Sequence, residues 1–116
     1  MDLTKMVSFV GMSASYESRK VSRNEFSWGF ISTAGVSDGH QPYETAVCHN
    51  GYTHNGERSG MCIVEAYSTI EEAKLGHKKW LKIMQDNPPE KLIDCKNAGI
   101  VDLLIDDEIV FMRESI

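Results

Sequence analysis

The clearest periodic stretch of the chain lies at residues 70–86. Ala73, Gly76, His77, Trp80, Leu81 and Met84 recur at spacings of three and four and share one helical face. Lys74, Lys78, Lys82 and Gln85 fall on the opposite face. Ser68 and Thr69 precede Glu71 and Glu72 at capping-box spacing, and acids there suit the positive end of a helix dipole. Asn87-Pro88-Pro89 ends the pattern, because proline lacks the N–H that an interior turn requires. An amphipathic helix over about 70–86 is predicted.

Elsewhere the hydrophobic period is two. Phe26, Trp28 and Phe30 alternate with small residues, which predicts a strand over 26–33 with one aromatic face. Residues 43–49 and 61–67 predict two further strands. The polar segment between them carries Asn50-Gly51 and Asn55-Gly56, the dipeptides that tolerate the positive φ of a type I′ turn, so a long hairpin with a flexible tip is expected. A short strand is expected at 5–11, and a small edge hairpin from 100–105 and 109–112, with a short helix in the tail as the alternative. Residues 12–25 are serine-rich and follow neither period, which predicts a polar loop or arm. These elements sum to an α+β fold, an antiparallel sheet of about four to six strands with one amphipathic helix packed on a face. No repeat or linker divides residues 1–116, so a single domain is expected.

Composition narrows the functional classes. A chain of 116 residues supports one modest core. At 41% hydrophobic and 25% charged, it falls outside the fibrous and fully disordered classes. The net charge of −5 argues against a basic nucleic-acid-binding surface, so no direct nucleic acid binding is expected. The acids concentrate late: residues 1–86 hold 10 acids and 9 bases, residues 87–116 hold 7 and 3. No apolar run approaches the roughly eighteen residues of a membrane span, and the first residues lack a signal-peptide pattern. Cys48, Cys62 and Cys95 are odd in number and form no CxxC pair. Free or metal-binding thiols in a reducing, cytoplasmic setting fit them better than a disulfide framework.

P-loop, GxGxxG, HExxH and GxSxG motifs are absent. What remains is a supply of metal ligands: Asp38 and His40 in one loop, Cys48, His49 and His54 around the next strand and turn, Cys62 and His77. Helical spacing puts His77 on the face that should meet the sheet. A buried imidazole nitrogen left unpaired costs about 1–3 kcal/mol, so a metal or a hydrogen-bonding partner is required. Gly76 beside it permits close approach of another segment, at about 1 kcal/mol of helix propensity. Zinc takes Cys, His and Asp in tetrahedral geometry, and a structural zinc held by Asp38, His40, Cys48 and His77 is the expected site. Such an ion would contribute folding free energy directly. The plainer expectations are a hydrogen-bonded core His77, a Cys48 that is a small buried hydrophobe, and solvated His49 and His54. Cys48 shares a strand face with Glu44 and Ala46, away from Tyr43, Thr45 and Val47; which of these faces meets the helix is left open. A zinc-bound water with Glu44 as general base would instead make a hydrolase.

Ile31-Ser32-Thr33, Asp38 and His40, Tyr43-Glu44-Thr45 and Ser68-Thr69-Ile70-Glu71-Glu72-Ala73 with Gly76-His77 together resemble a pattern in small proteins of tailed bacteriophages. The resemblance spans about residues 30–80, and Gly39 interrupts its Asp-His pair. It implies a phage-encoded binding protein that inhibits bacterial defence. In its specific form this is a metal-containing anti-CRISPR protein whose partner is Cas9 of a type II system. The alternatives are the small metal-dependent hydrolase and a phage structural or assembly protein.

Overall fold

The computed structural model describes residues 18–37, 39–57, 60–97 and 108–114. Among them are seven strands in two antiparallel sheets and one long helix, an α+β fold. The elements are β1 Lys20–Phe26, β2 Gly29–Gly35, β3 Tyr43–His49, β4 Tyr52–Thr53, β5 Cys62–Tyr67, α1 Ile70–Asp86, β6 Lys91–Ile93 and β7 Val110–Arg113. The larger sheet runs β1-β2-β3-β5 and the smaller β4-β7-β6. Asp94 and Cys95 join them: the Cys95 N–H donates to the Ile63 carbonyl at 2.8 Å, and Asp94 Oδ2 accepts from the Ile63 N–H at 3.1 Å.

The helix occupies the residues that its periodicity predicts. Thr69 is its N-cap, extended at φ −129°, and its Oγ1 accepts from the Glu72 N–H at 3.1 Å. The Glu72 carboxylate reaches back to both hydroxyls, Ser68 at 2.7 Å and Thr69 at 3.1 Å. Those bonds, Ser68's first, hold its pKa below the ordinary value. Ala73, Gly76, His77 and Met84 are buried along one stripe, as expected.

The strand expectations fare unevenly. The β3 bounds are those predicted, and at the tip of the following segment Asn55 and Gly56 both take positive φ (54° and 83°) between the reciprocally bonded His54 and Glu57, so this Asn-Gly serves as the hairpin turn. The expected loop over 12–25 is corrected in its second part, where Lys20–Phe26 is an edge strand paired with β2. Residues 12–17 lie outside the described residues. The expected continuous strand over 26–33 is also corrected. Ser27 and Trp28 form a tight turn between Phe26 and Gly29, so Phe26 and Phe30 belong to different strands. Phe26 stacks on Trp28 beside the core, whereas Phe30 lies under the Arg23 guanidinium, 4.0 Å from the ring centroid. The expected strand at 5–11 and the first arm of the tail hairpin lie outside the described residues. The second arm is β7, and it pairs with β4 and with β6.

Alternation assigns the sheet faces. Asn24, Ile31, Thr33, Thr45, Val47, Cys62, Glu65 and Tyr67 point to the helix side. A bulge between Thr45 and Ala46 in the β3–β5 register lets Cys62 share this face with Glu65 and Tyr67. The core gathers Ile31, Val47, Tyr52, Cys62, Met84, Leu92 and Phe111.

Candidate functional site

The helix-side face of the larger sheet carries a chain of buried polar groups. Thr33 and Thr45 are directly opposed in register, both wholly buried, with their hydroxyl oxygens 2.6 Å apart. β-branched threonine suits a strand, but a buried hydroxyl needs partners, and each finds them in its neighbours. Thr33 Oγ1 lies 2.7 Å from His77 Nδ1, and His77 Nε2 lies 2.8 Å from Asn24 Oδ1. On the other side Thr45 Oγ1 is 2.9 Å from Tyr67 Oη, which donates to Glu65 at 3.1 Å. Glu65 also accepts from Trp80 Nε1 at 3.0 Å and pairs with Lys79 at 2.5 Å. The chain crosses the sheet from β1 to β5, one edge to the other.

Gly76 makes the Tyr67 end possible. The tyrosine ring lies on the helix backbone there, and a Cβ would fall inside 3.0 Å of Oη, Cζ and Cε1. The close neighbour expected at Gly76 is another backbone or a ligand-bearing loop; the neighbour is instead this side-chain ring.

Burial sets the protonation states. It pulls the His77 imidazole, 2% exposed, below its ordinary pKa of 6.5, so the ring is neutral at pH 7. The same effect raises Tyr67 above its ordinary value. Burial also pushes Glu65 upward, but hydrogen bonds from Lys79, Trp80 and Tyr67 outweigh it, and the carboxyl sits below the ordinary value. Burial first, then the nearby Asp94, lifts Cys62 to about 12 and Cys95 to about 11, so both remain thiols rather than nucleophilic thiolates.

The predicted ligands are dispersed. His77 has both ring nitrogens engaged by Thr33 and Asn24. Cys48 pairs in register with Phe30 and points to the helix-free side, so the sheet stands between it and His77. His40 is exposed in the loop before β3, its N–H donating to the Asn97 carbonyl at 2.6 Å. Cys48 is at the far end of that strand, about 17 Å along it from Tyr43 at about 3.4 Å per residue. Asp38 lies outside the described residues. The expected convergence of His40, Cys48 and His77 is therefore not the arrangement of this fold, because Thr45 and Val47 take the helix-facing positions of β3. No group of three or more His, Cys, Asp or Glu side chains among the described residues is placed to hold a metal. Glu44 is also on the helix-free side, where it accepts from Asn97 Nδ2 at 2.8 Å.

The two turn histidines are more ordered than expected. His49 stacks on Trp28 (4.3 Å, 17°), meets Tyr52 edge-on and accepts from the Gly51 N–H at 2.8 Å. His54 lies against Phe111 and donates from Nδ1 to the Val110 carbonyl at 3.0 Å.

Sequence reasoning found His77 but missed Asn24, Thr33, Thr45, Glu65 and Tyr67. A signal did exist: two threonines at inner strand positions and one histidine on a helix's apolar face are three polar groups that burial obliges to pair. Asn24 carried no such signal, lying in a segment read as loop. On the helix-free side a depression of about 270 Å³ is lined by residues that include Arg19, Arg23, Phe30, Glu44, Met61 and Ile63. The chain matches no family model, no curated protein and no solved structure.

Proposed function

We propose that this chain works by stoichiometric contact with a protein partner, as an inhibitor of bacterial defence, and in the specific form as an anti-CRISPR protein that blocks Cas9. The observation that carries the contact reading over the hydrolytic one is the placement of His77 and Glu44 on opposite faces of the sheet. A zinc-bound water with Glu44 as base requires both groups at one reacting atom. The imidazole is instead committed to Thr33 and Asn24, and Glu44 to Asn97. The depression on the helix-free side supports the same reading, since arginine, aromatic and methionine side chains such as Arg23, Phe30 and Met61 are enriched at the cores of protein interfaces. The defence partner rests on the phage-like pattern of residues 30–80. A structural zinc shared by Cys48 and His77 is the part of the expectation that this geometry supports least.

Two experiments test the proposal. The purified chain is mixed with type II Cas9, with and without guide RNA, and resolved by size exclusion beside a DNA-cleavage assay. A one-to-one complex that suppresses cleavage, and that Met61→Glu weakens, is expected. Failure to bind either form of Cas9 overturns the specific reading. Turnover on phosphoester substrates, lost in Glu44→Gln, would overturn the contact reading altogether. Elemental analysis of chelator-free, untagged protein decides the zinc: near-stoichiometric metal lost in His77→Ala would restore it.

A further inference from the structure

The chain Asn24–His77–Thr33–Thr45–Tyr67–Glu65 has five links, and each link needs one proton. Neutral His77 supplies one, and the hydroxyls of Thr33, Thr45 and Tyr67 supply one each. The Glu65 carboxylate supplies none, so Tyr67 must donate to it. Thr45 then has to donate to Tyr67, Thr33 to Thr45, and His77 Nδ1–H to Thr33. That order leaves His77 Nε2 as a bare lone pair 2.8 Å from the position of Asn24 Oδ1. An amide oxygen there would set acceptor against acceptor. The amide nitrogen supplies the fifth proton, and the two ends of an asparagine amide exchange by a half-turn about χ2.

We infer that Asn24 turns its amide nitrogen to His77, that His77 carries its proton on Nδ1, and that the Glu65 carboxylate on the opposite edge strand sets this direction for the whole chain. Protonating Glu65 instead would also close the count, but Lys79 and Trp80 both favour the carboxylate. The other charged groups beside Asn24 do not enter: Arg23 and Glu25 point to the helix-free side and pair with each other at 3.1 Å.

The consequence is a coupling between the two edges of the sheet. Asn24 is exposed, so with its nitrogen turned inward it presents a carbonyl acceptor on the surface of β1. When the Glu65 charge is removed, either direction satisfies the remaining links. The chain is then free to reverse, and the reversal exchanges that surface acceptor for a donor. A ligand or partner that acts on Glu65 on β5 thereby changes what β1 offers for hydrogen bonding, without any movement of the backbone.

The test is the His77 ring in ¹⁵N-labelled protein at pH 7.5, read by long-range ¹H–¹⁵N correlation. A protonated Nδ1 with an unprotonated Nε2 is expected, and a ring protonated on Nε2 alone overturns the assignment. Asn24→Asp replaces the inward-facing donor with an acceptor of the same shape. It should bring a proton onto Nε2, and an Nε2 that stays bare also overturns the assignment. Glu65→Leu should move both ring nitrogens toward the averaged shifts of mixed tautomers. A ring that stays wholly in the Nδ1–H form would overturn the coupling to Glu65.

Discussion

Gly76→Ala probes how the helix is seated on the sheet. In an isolated helix alanine would be favoured over glycine by about 1 kcal/mol. Here the added Cβ falls inside 3.0 Å of Tyr67 Oη, Cζ and Cε1, and none of those atoms is the end of a flexible chain. The ring must leave, which disrupts its bonds to Thr45 and Glu65. Overpacking costs about 1–3 kcal/mol. The wholly buried Thr45 hydroxyl, deprived of one partner, adds about 1–3 kcal/mol. After the gain in helix propensity the net loss is about 1–5 kcal/mol. Urea unfolding at 25 °C, followed by far-UV circular dichroism, measures it as a lowered midpoint at constant slope. The discriminating arm is Tyr67→Leu, which removes all three obstructing atoms and keeps apolar bulk. In that background Gly76→Ala should become stabilising, by up to about 1 kcal/mol. A neutral Gly76→Ala in the parent, or the same loss in both backgrounds, would refute the reasoning.

Further outcomes follow from the same contacts. Thr33→Val and Thr45→Val should each cost about 1–3 kcal/mol by stranding a buried partner, while the double variant costs clearly less than their sum; additivity in urea titrations would deny the coupling. Thr69→Ala should lower stability by about 1 kcal/mol through loss of the N-cap, read as a fall in the thermal midpoint, and an unchanged midpoint would discount the cap. Burial holds folded His77 below 6.5, so below that pH the unfolded chain binds a proton that the folded chain does not. Stability should therefore be flat above about pH 6.5 and fall on acidification toward the folded pKa, at no more than about 1.4 kcal/mol per pH unit from this group. His49 adds a fall of the same sign, so His77→Gln should flatten the curve only in part. Stability that rises between pH 6.5 and 5 contradicts this.

The helix and β3 were legible in the sequence because their signals are local. The three-to-four spacing from Ala73 to Met84, the Thr69–Glu72 cap and the Asn55-Gly56 turn each depend on residues within a few positions. Lys20–Phe26 was not legible, since an exposed edge strand has no apolar stripe and becomes a strand only by pairing with β2. Lys91–Ile93 is likewise a strand because β7 lies beside it. Alternation placed Cys48 with Glu44 and Ala46, apart from Thr45 and Val47, but a period of two has no sign. Only the docking of the helix decided which face is inside, and that choice separated Cys48 from His77. The sequence by itself therefore determined the elements, and the presence of a histidine that needed partners. The tertiary structure chose those partners, because groups as far apart in sequence as Asn24 and His77, 53 residues, are brought together by strand register and helix packing, which no local spacing encodes.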